Sequence, residues 1–128
     1  MAKEIFNTDR APAPIGPYNQ AVKAGPTLYV SGQIPIDPST GELIQGSVAD
    51  EAEQVLKNVE AVLNAAGYQT SDVVKTSIFL RDMSDFVNVN EVYGRFFGGD
   101  NAPARETIAV VGLPKNVNVE ISVIAWKG

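Results

Sequence analysis

The chain has 128 residues, a formal net charge of −5, and neither cysteine nor histidine. Disulfides, thiolate nucleophiles, zinc-thiolate sites, a Ser-His-Asp triad and imidazole metal ligands are therefore excluded. With 45% apolar residues it has enough material for one folded domain over residues 1–128, and too little for two.

The acidic balance repels phosphate backbones, so a nucleic-acid partner is not expected. No run of residues approaches membrane-spanning length, and Met1-Ala2-Lys3-Glu4 begins no apolar leader. The expectation is a soluble cytoplasmic protein with no membrane partner. Oxygen-only binding of Mg²⁺ or Ca²⁺ stays open, but no clustered carboxylate loop is present and no metal is expected.

Pro12, Pro14 and Pro17 stiffen residues 11–17 into an extended loop. Gly25-Pro26 marks a turn, and Thr27-Leu28-Tyr29-Val30-Ser31 reads as a strand. Asp37-Pro38-Ser39-Thr40-Gly41 is a second turn joining short extended pieces. Over residues 48–66, Val48, Ala52, Val55, Leu56, Val59, Val62, Leu63 and Ala66 recur at helical spacing. Ser47 is the expected N-cap and Gly67 the left-handed C-terminal stop. The acidic residues of this helix read as a solvated face.

Residues 73–81 form a strand with Val74, Thr76, Ile78 and Leu80 on one face and Phe79 opposite. Ser84-Asp85 is expected to cap a second helix running to Phe97, which Gly98-Gly99 ends. Residues 106–111 and 117–126 are the last strands, expected as an antiparallel pair. The order β-β-α-β-α-β-β predicts an α+β fold with two helices packed on one face of the sheet. The other face is too apolar for water. Another subunit is expected to cover it, so the chain is predicted to be a homo-oligomer.

Without histidine, chemistry falls to arginine, carboxylate, hydroxyl and backbone groups. Arg105 begins a strand after Pro103-Ala104, and its guanidinium suits a carboxylate; the alternative is a surface ion pair. Glu120 lies inside an apolar strand. It reads as a carboxylate that holds or activates water, or as a structural partner of Lys75 or Arg105. Tyr18, on the stiffened loop, can present its ring or hydroxyl to a ligand or simply pack. Ser31-Gly32-Gln33 allows close approach to the backbone, or marks a bulge; Ser31 has no base to make it a nucleophile.

Taken together, Ile15-Gly16-Pro17-Tyr18, Ser31-Gly32-Gln33-Ile34-Pro35, Val74-Lys75-Thr76, Val89-Asn90, Val92-Tyr93, Phe96-Phe97, Pro103-Ala104-Arg105, Leu113-Pro114-Lys115 and Val119-Glu120-Ile121 resemble the RidA (YjgF) family, in order and spacing over nearly the whole chain. The resemblance implies a chorismate-mutase-like α+β fold, a mixed β-sheet with two helices on one face, in a homotrimer with clefts between subunits. It implies hydrolysis of reactive enamines and imines, such as 2-aminoacrylate, 2-iminopropanoate and 2-iminobutanoate, to 2-oxo acids and ammonia, with no cofactor.

Carried over by position, Arg105 would bind the substrate carboxylate and Glu120 would position water. Tyr18, Ser31, Gly32 and Asn90 fall on cleft positions, and main-chain groups near Gly32 and Thr107 would bind nitrogen or water. Three features depart from the pattern: Glu106 after the arginine, Asn19 in the loop, and Val110-Val111-Gly112 before Leu113-Pro114. Alternation turns Glu106 away from Arg105 and Thr107. The alternative functions are a non-catalytic trimer that senses 2-oxo acids, and a ribonuclease or translation inhibitor. The acidity and the lack of histidine disfavour the latter.

Overall fold

The computed structural model describes residues 2–128. The elements run β1 (Glu4–Phe6), β2 (Ala21–Ala24), β3 (Thr27–Gln33), β4 (Ile36–Asp37), β5 (Glu42–Leu43), α1 (Val48–Ala65), β6 (Val73–Leu80), α2 (Phe86–Phe97), β7 (Ala104–Ala109) and β8 (Val119–Trp126). Six strands form one mixed sheet in the order β1-β2-β3-β8-β6-β7, and β4-β5 pair separately. Every pair in the large sheet is antiparallel except β6-β7, which is parallel.

Helix α1 follows the spacing of its apolar residues. Val55, Leu56, Val59, Val62 and Leu63 are fully buried. The Ser47 hydroxyl accepts the Asp50 N–H at 3.1 Å, which satisfies an otherwise orphaned donor of the first turn. Gly67 takes φ 82° and turns the chain away after the helix. The start of α2 differs from the expectation. Asp85 precedes it but makes no capping bond; instead the Asp82 side chain accepts the Ser84 N–H at 2.9 Å and tightens the turn before it.

Both helices join one core with the inward residues of β3, β6 and β8, including Leu28, Val30, Ile78, Leu80, Val119, Ile121 and Val123. The other sheet face keeps Tyr29 and Trp126 about half exposed, at 50% and 52%, as its alternation predicts.

Three expectations are corrected. The last two strands are not neighbours, because β6 lies between β7 and β8. The α2 crossover returns the chain parallel to β6, and an edge position was the one open to β7. Val74 is exposed rather than in the core: the β6 register slips between Val73 and Lys75 opposite β8, so Val73 takes the buried place. The acidic side of α1 is not wholly solvated, because Glu51 is buried at 6% exposure.

The short β4-β5 ribbon is tied to α1 through Asn58. This side chain is 1% exposed and donates to the carbonyls of Ile34 and Ile36 at 3.2 and 2.9 Å. Truncation removes both bonds, leaving the Ile34 carbonyl with only the Ile36 N–H at 2.8 Å. Asn58→Ala is expected to lower unfolding stability by about 1–3 kcal/mol, read from the urea midpoint at unchanged slope.

Candidate functional site

The predicted site residues fall into two groups on opposite faces of the sheet. Arg105 is in register with Thr76, and Thr107 with Ile78; both partners are buried beneath the helices. Arg105 and Thr107 therefore point to the helical side. Glu120 is in register with Phe79, on the opposite side. The arginine and the carboxylate do not meet within one chain. Strand alternation alone does not reveal this, because the order of strands depends on long-range pairing.

The first group gathers at the edge strand β7. The Arg105 guanidinium is exposed, yet held in place. Nη1 donates to Asn90 Oδ1 at 2.6 Å, and Cζ stands 5.0 Å from the Tyr93 ring centre and 5.5 Å from that of Phe86. Such cation–π contacts cost the cation little of its charge while limiting its motion. Tyr93 is itself fixed by a 2.8 Å hydrogen bond between its hydroxyl and Thr76 Oγ1. Asn90, Phe86 and Tyr93 all lie on α2, so one helix sets the guanidinium's direction. The two rings read as core in the sequence; their second use as a platform follows from the parallel β6-β7 pairing. Beside this group, Thr107 Oγ1 is buried with no hydrogen-bond partner among the described residues.

Glu106 faces the other way. It accepts from Ser77 Oγ at 2.8 Å and stands 3.6 Å from Lys75 Nζ, and these neighbours lower its pKa. It therefore competes neither for Arg105 nor for the space around it. Lys75 is taken up by Glu106, so the structural pairing of Glu120 with Lys75 or Arg105 is not found.

The second group lines a cavity of about 370 Å³ formed by Ile15, Tyr18, Ser31, Gly32, Ile34, Pro114 and Glu120. Register slips between Val30 and Gln33 where β3 pairs with β8, so Ser31-Gly32 is a bulge. Ser31 is spent on structure: its hydroxyl donates to the Asn19 carbonyl at 2.6 Å, and its N–H to the Gln20 carbonyl at 2.9 Å. These bonds pin the proline-stiffened loop and set Tyr18 at the cavity rim. Asn19 turns its side chain away, accepting from Asn7 at 3.0 Å. Buried Gln20 holds the rest of the loop by donating to the carbonyls of Thr8, Ala11 and Pro12. Sequence reasoning missed Gln20, Ile34 and Pro114, since none carries reactive chemistry.

Gly32 makes room for Glu120. A Cβ on Gly32 would collide with Glu120 Oε2, so the carboxylate occupies the space a side chain would fill. Glu120 is half-buried, with no hydrogen-bond or ion-pair partner among the described residues, and burial pushes its pKa up. Gly32→Ala is expected to swing this carboxylate out of the cavity and return its titration toward the ordinary range. Carboxyl-carbon NMR checks this, with circular dichroism expected to show the fold intact.

Among the described residues no three acidic side chains converge as ligands for a cation, and no helix is long and apolar enough to cross a membrane.

Comparison with known proteins bears on the fold and the family. Residues 8–127 match the family described as endoribonuclease L-PSP. A RutC family protein of Pyrococcus horikoshii is 52% identical over 98% of both chains. The 2-iminobutanoate/2-iminopropanoate deaminase of Mus musculus is 48% identical over 100% of this chain and 94% of its own. A crystal structure described as a putative endoribonuclease from Thermotoga maritima superposes with a TM-score of 0.95 at 52% identity, covering 98% of each chain. With the guanidinium edge, the bulge cavity and these likenesses together, the chain belongs to the L-PSP family, also called the RidA (YjgF) family.

Proposed function

We propose that this chain hydrolyses small 2-imino acids, 2-aminoacrylate with its tautomer 2-iminopropanoate and 2-iminobutanoate, to 2-oxo acids and ammonia. The reaction takes place in clefts between the copies of a homotrimer. One copy contributes Arg105 with Asn90 and Thr107, and a neighbouring copy contributes Glu120, Tyr18, Ser31 and Gly32. The observation that carries the reading is the placement of an aimed, exposed guanidinium on one sheet face and an unpartnered carboxylate on the other. The apolar outer face, with Tyr29 and Trp126, supports burial against another copy. The 48% identity to the mouse deaminase supports the reaction class.

Each group has a task. Arg105 has donors left after its bond to Asn90, and grips the substrate carboxylate with them. The hydroxyl of Thr107, unpartnered among the described residues, binds the imine nitrogen or the water. Glu120 takes a proton from a water molecule as its oxygen adds to the C=N carbon, and returns that proton to the nitrogen, giving a carbinolamine. The carbinolamine then collapses. Glu120 takes the hydroxyl proton and passes it to the amino nitrogen as the C–N bond breaks, so the nitrogen departs as ammonia and a 2-oxo acid is left behind. A carboxylate whose pKa lies above its ordinary value is suited to both taking and returning the proton. Clearing such imines in the cytoplasm is the proposed role.

The test uses a serine dehydratase to release 2-aminoacrylate and follows its decay. Acceleration by the folded protein is expected, and decay no faster than in buffer refutes the reading. The family's descriptive name points instead to RNA cleavage. The net charge of −5 and the carboxylates of Glu106 and Glu120 on one face weigh against an RNA partner. Incubation with single-stranded RNA is expected to leave it intact.

A further inference from the structure

We propose that Glu51, in the first turn of α1, is a positioning residue for the Glu120 cavity, acting through the segment Leu113–Asn118. This rests on the reading of Glu120 given above. Three observations point to it.

The first is the environment of Glu51. It is a buried carboxylate, and among the described residues no lysine or arginine pairs with it. Both of its oxygens are instead given to one residue. Oε1 accepts the Asn118 N–H at 3.0 Å, and Oε2 accepts the Asn118 side-chain amide at 2.5 Å. Burying a charge without an ion pair is costly, so such a group persists where its hydrogen bonds fix something.

The second is what those bonds fix. Asn118 stands two residues before Glu120, at the entry to β8. Its carbonyl accepts the Arg81 N–H at 3.1 Å, while Arg81 Nη1 reaches the Asn116 carbonyl at 2.9 Å. The segment is thus gripped from α1 by one charge and from the end of β6 by another.

The third is the conformation that results. Lys115 and Asn116 take φ 55° and 58°, left-handed values that side-chain-bearing residues adopt only when their surroundings impose them. That turn places Pro114 in the wall of the cavity that contains Glu120. Released from Glu51, the turn relaxes toward ordinary dihedrals, Pro114 withdraws and water reaches the carboxylate.

The experiment compares the full-length wild type with Glu51→Ala and Glu51→Gln. Turnover of 2-aminoacrylate is measured, and Glu120 is titrated by carboxyl-carbon NMR. Glu51→Ala is expected to lower kcat by on the order of tenfold or more at nearly constant KM, as small misplacements of catalytic groups do. It also returns the Glu120 titration toward its ordinary range. Glu51→Gln keeps an acceptor for the Asn118 N–H and, with the amide of Asn118 turned over, a second bond. It is expected to restore both readouts.

An unmoved Glu120 titration in Glu51→Ala overturns the inference whatever turnover does, and so does equal damage from Glu51→Gln. If Glu51→Ala fails to fold, Asn118→Ala, which removes only one arm, is read by the same criteria. If the wild type itself shows no deamination, the proposed reaction falls, and the titration alone decides on Glu51.

Discussion

Chains carrying Arg105→Ala and chains carrying Glu120→Gln, each inactive alone, are expected to regain turnover when they are unfolded and refolded together. Arg105 and Glu120 leave opposite faces of the sheet. A cleft that uses both must therefore draw them from different copies. In a random mixture, about a quarter of such clefts combine an intact guanidinium with an intact carboxylate.

The single variants set the baseline. Losing the charge-assisted grip on a carboxylate costs roughly 2–5 kcal/mol in the transition state, about 30- to 5,000-fold in kcat/KM. Arg105→Ala removes one exposed hydrogen bond and its contacts with two rings, so its melting temperature is expected to shift little. Activity that stays at baseline in the mixture, with mixed oligomers confirmed by mass spectrometry, rejects a cleft shared between copies.

The second large effect is on pH dependence. Burial raises the pKa of Glu120 above its ordinary value. Turnover that needs the carboxylate should thus fall, as pH drops, earlier than an ordinary glutamate would dictate. Glu120→Gln is expected to lower kcat by about 10²–10⁴-fold and to abolish that acid limb.

Stability moves in the opposite sense. The folded state holds this proton more tightly than the unfolded state, so this group's contribution to stability falls as pH rises from the unfolded pKa through the folded one. Glutamine removes that dependence. At neutral pH, Glu120→Gln is expected to melt at the same temperature or slightly higher. A distinctly lower melting temperature means that the carboxylate holds a structural bond.

Local patterns were the legible part of this fold. The spacing from Val48 to Ala66, the cap at Ser47 and the stop at Gly67 depend on neighbours a few residues away, and the structure keeps all three. The alternation that turns Glu106 from Arg105 is equally local. Strand order was not legible. Placing β6 between β7 and β8 requires pairings across tens of residues, and no periodicity encodes them. The slip at Val73–Lys75 moved Val74 outward for the same reason. β1 and β2 were missed because such short strands, one of them at the sheet edge, carry little alternation.

In the candidate site, the sequence singles out residues with recognisable chemistry and not the residues that support them. Glu51 and Asn58 read as polar positions on a helix. Only the packing of α1 against Asn118 and the β4-β5 ribbon turns them inward.

If the reaction centre is divided between two copies, as proposed, output per chain depends on how concentrated the sample is. Progressive dilution should then pull the halves apart and silence every chain. A loss of signal in a very dilute assay then reports the strength of self-association, not a weak catalyst.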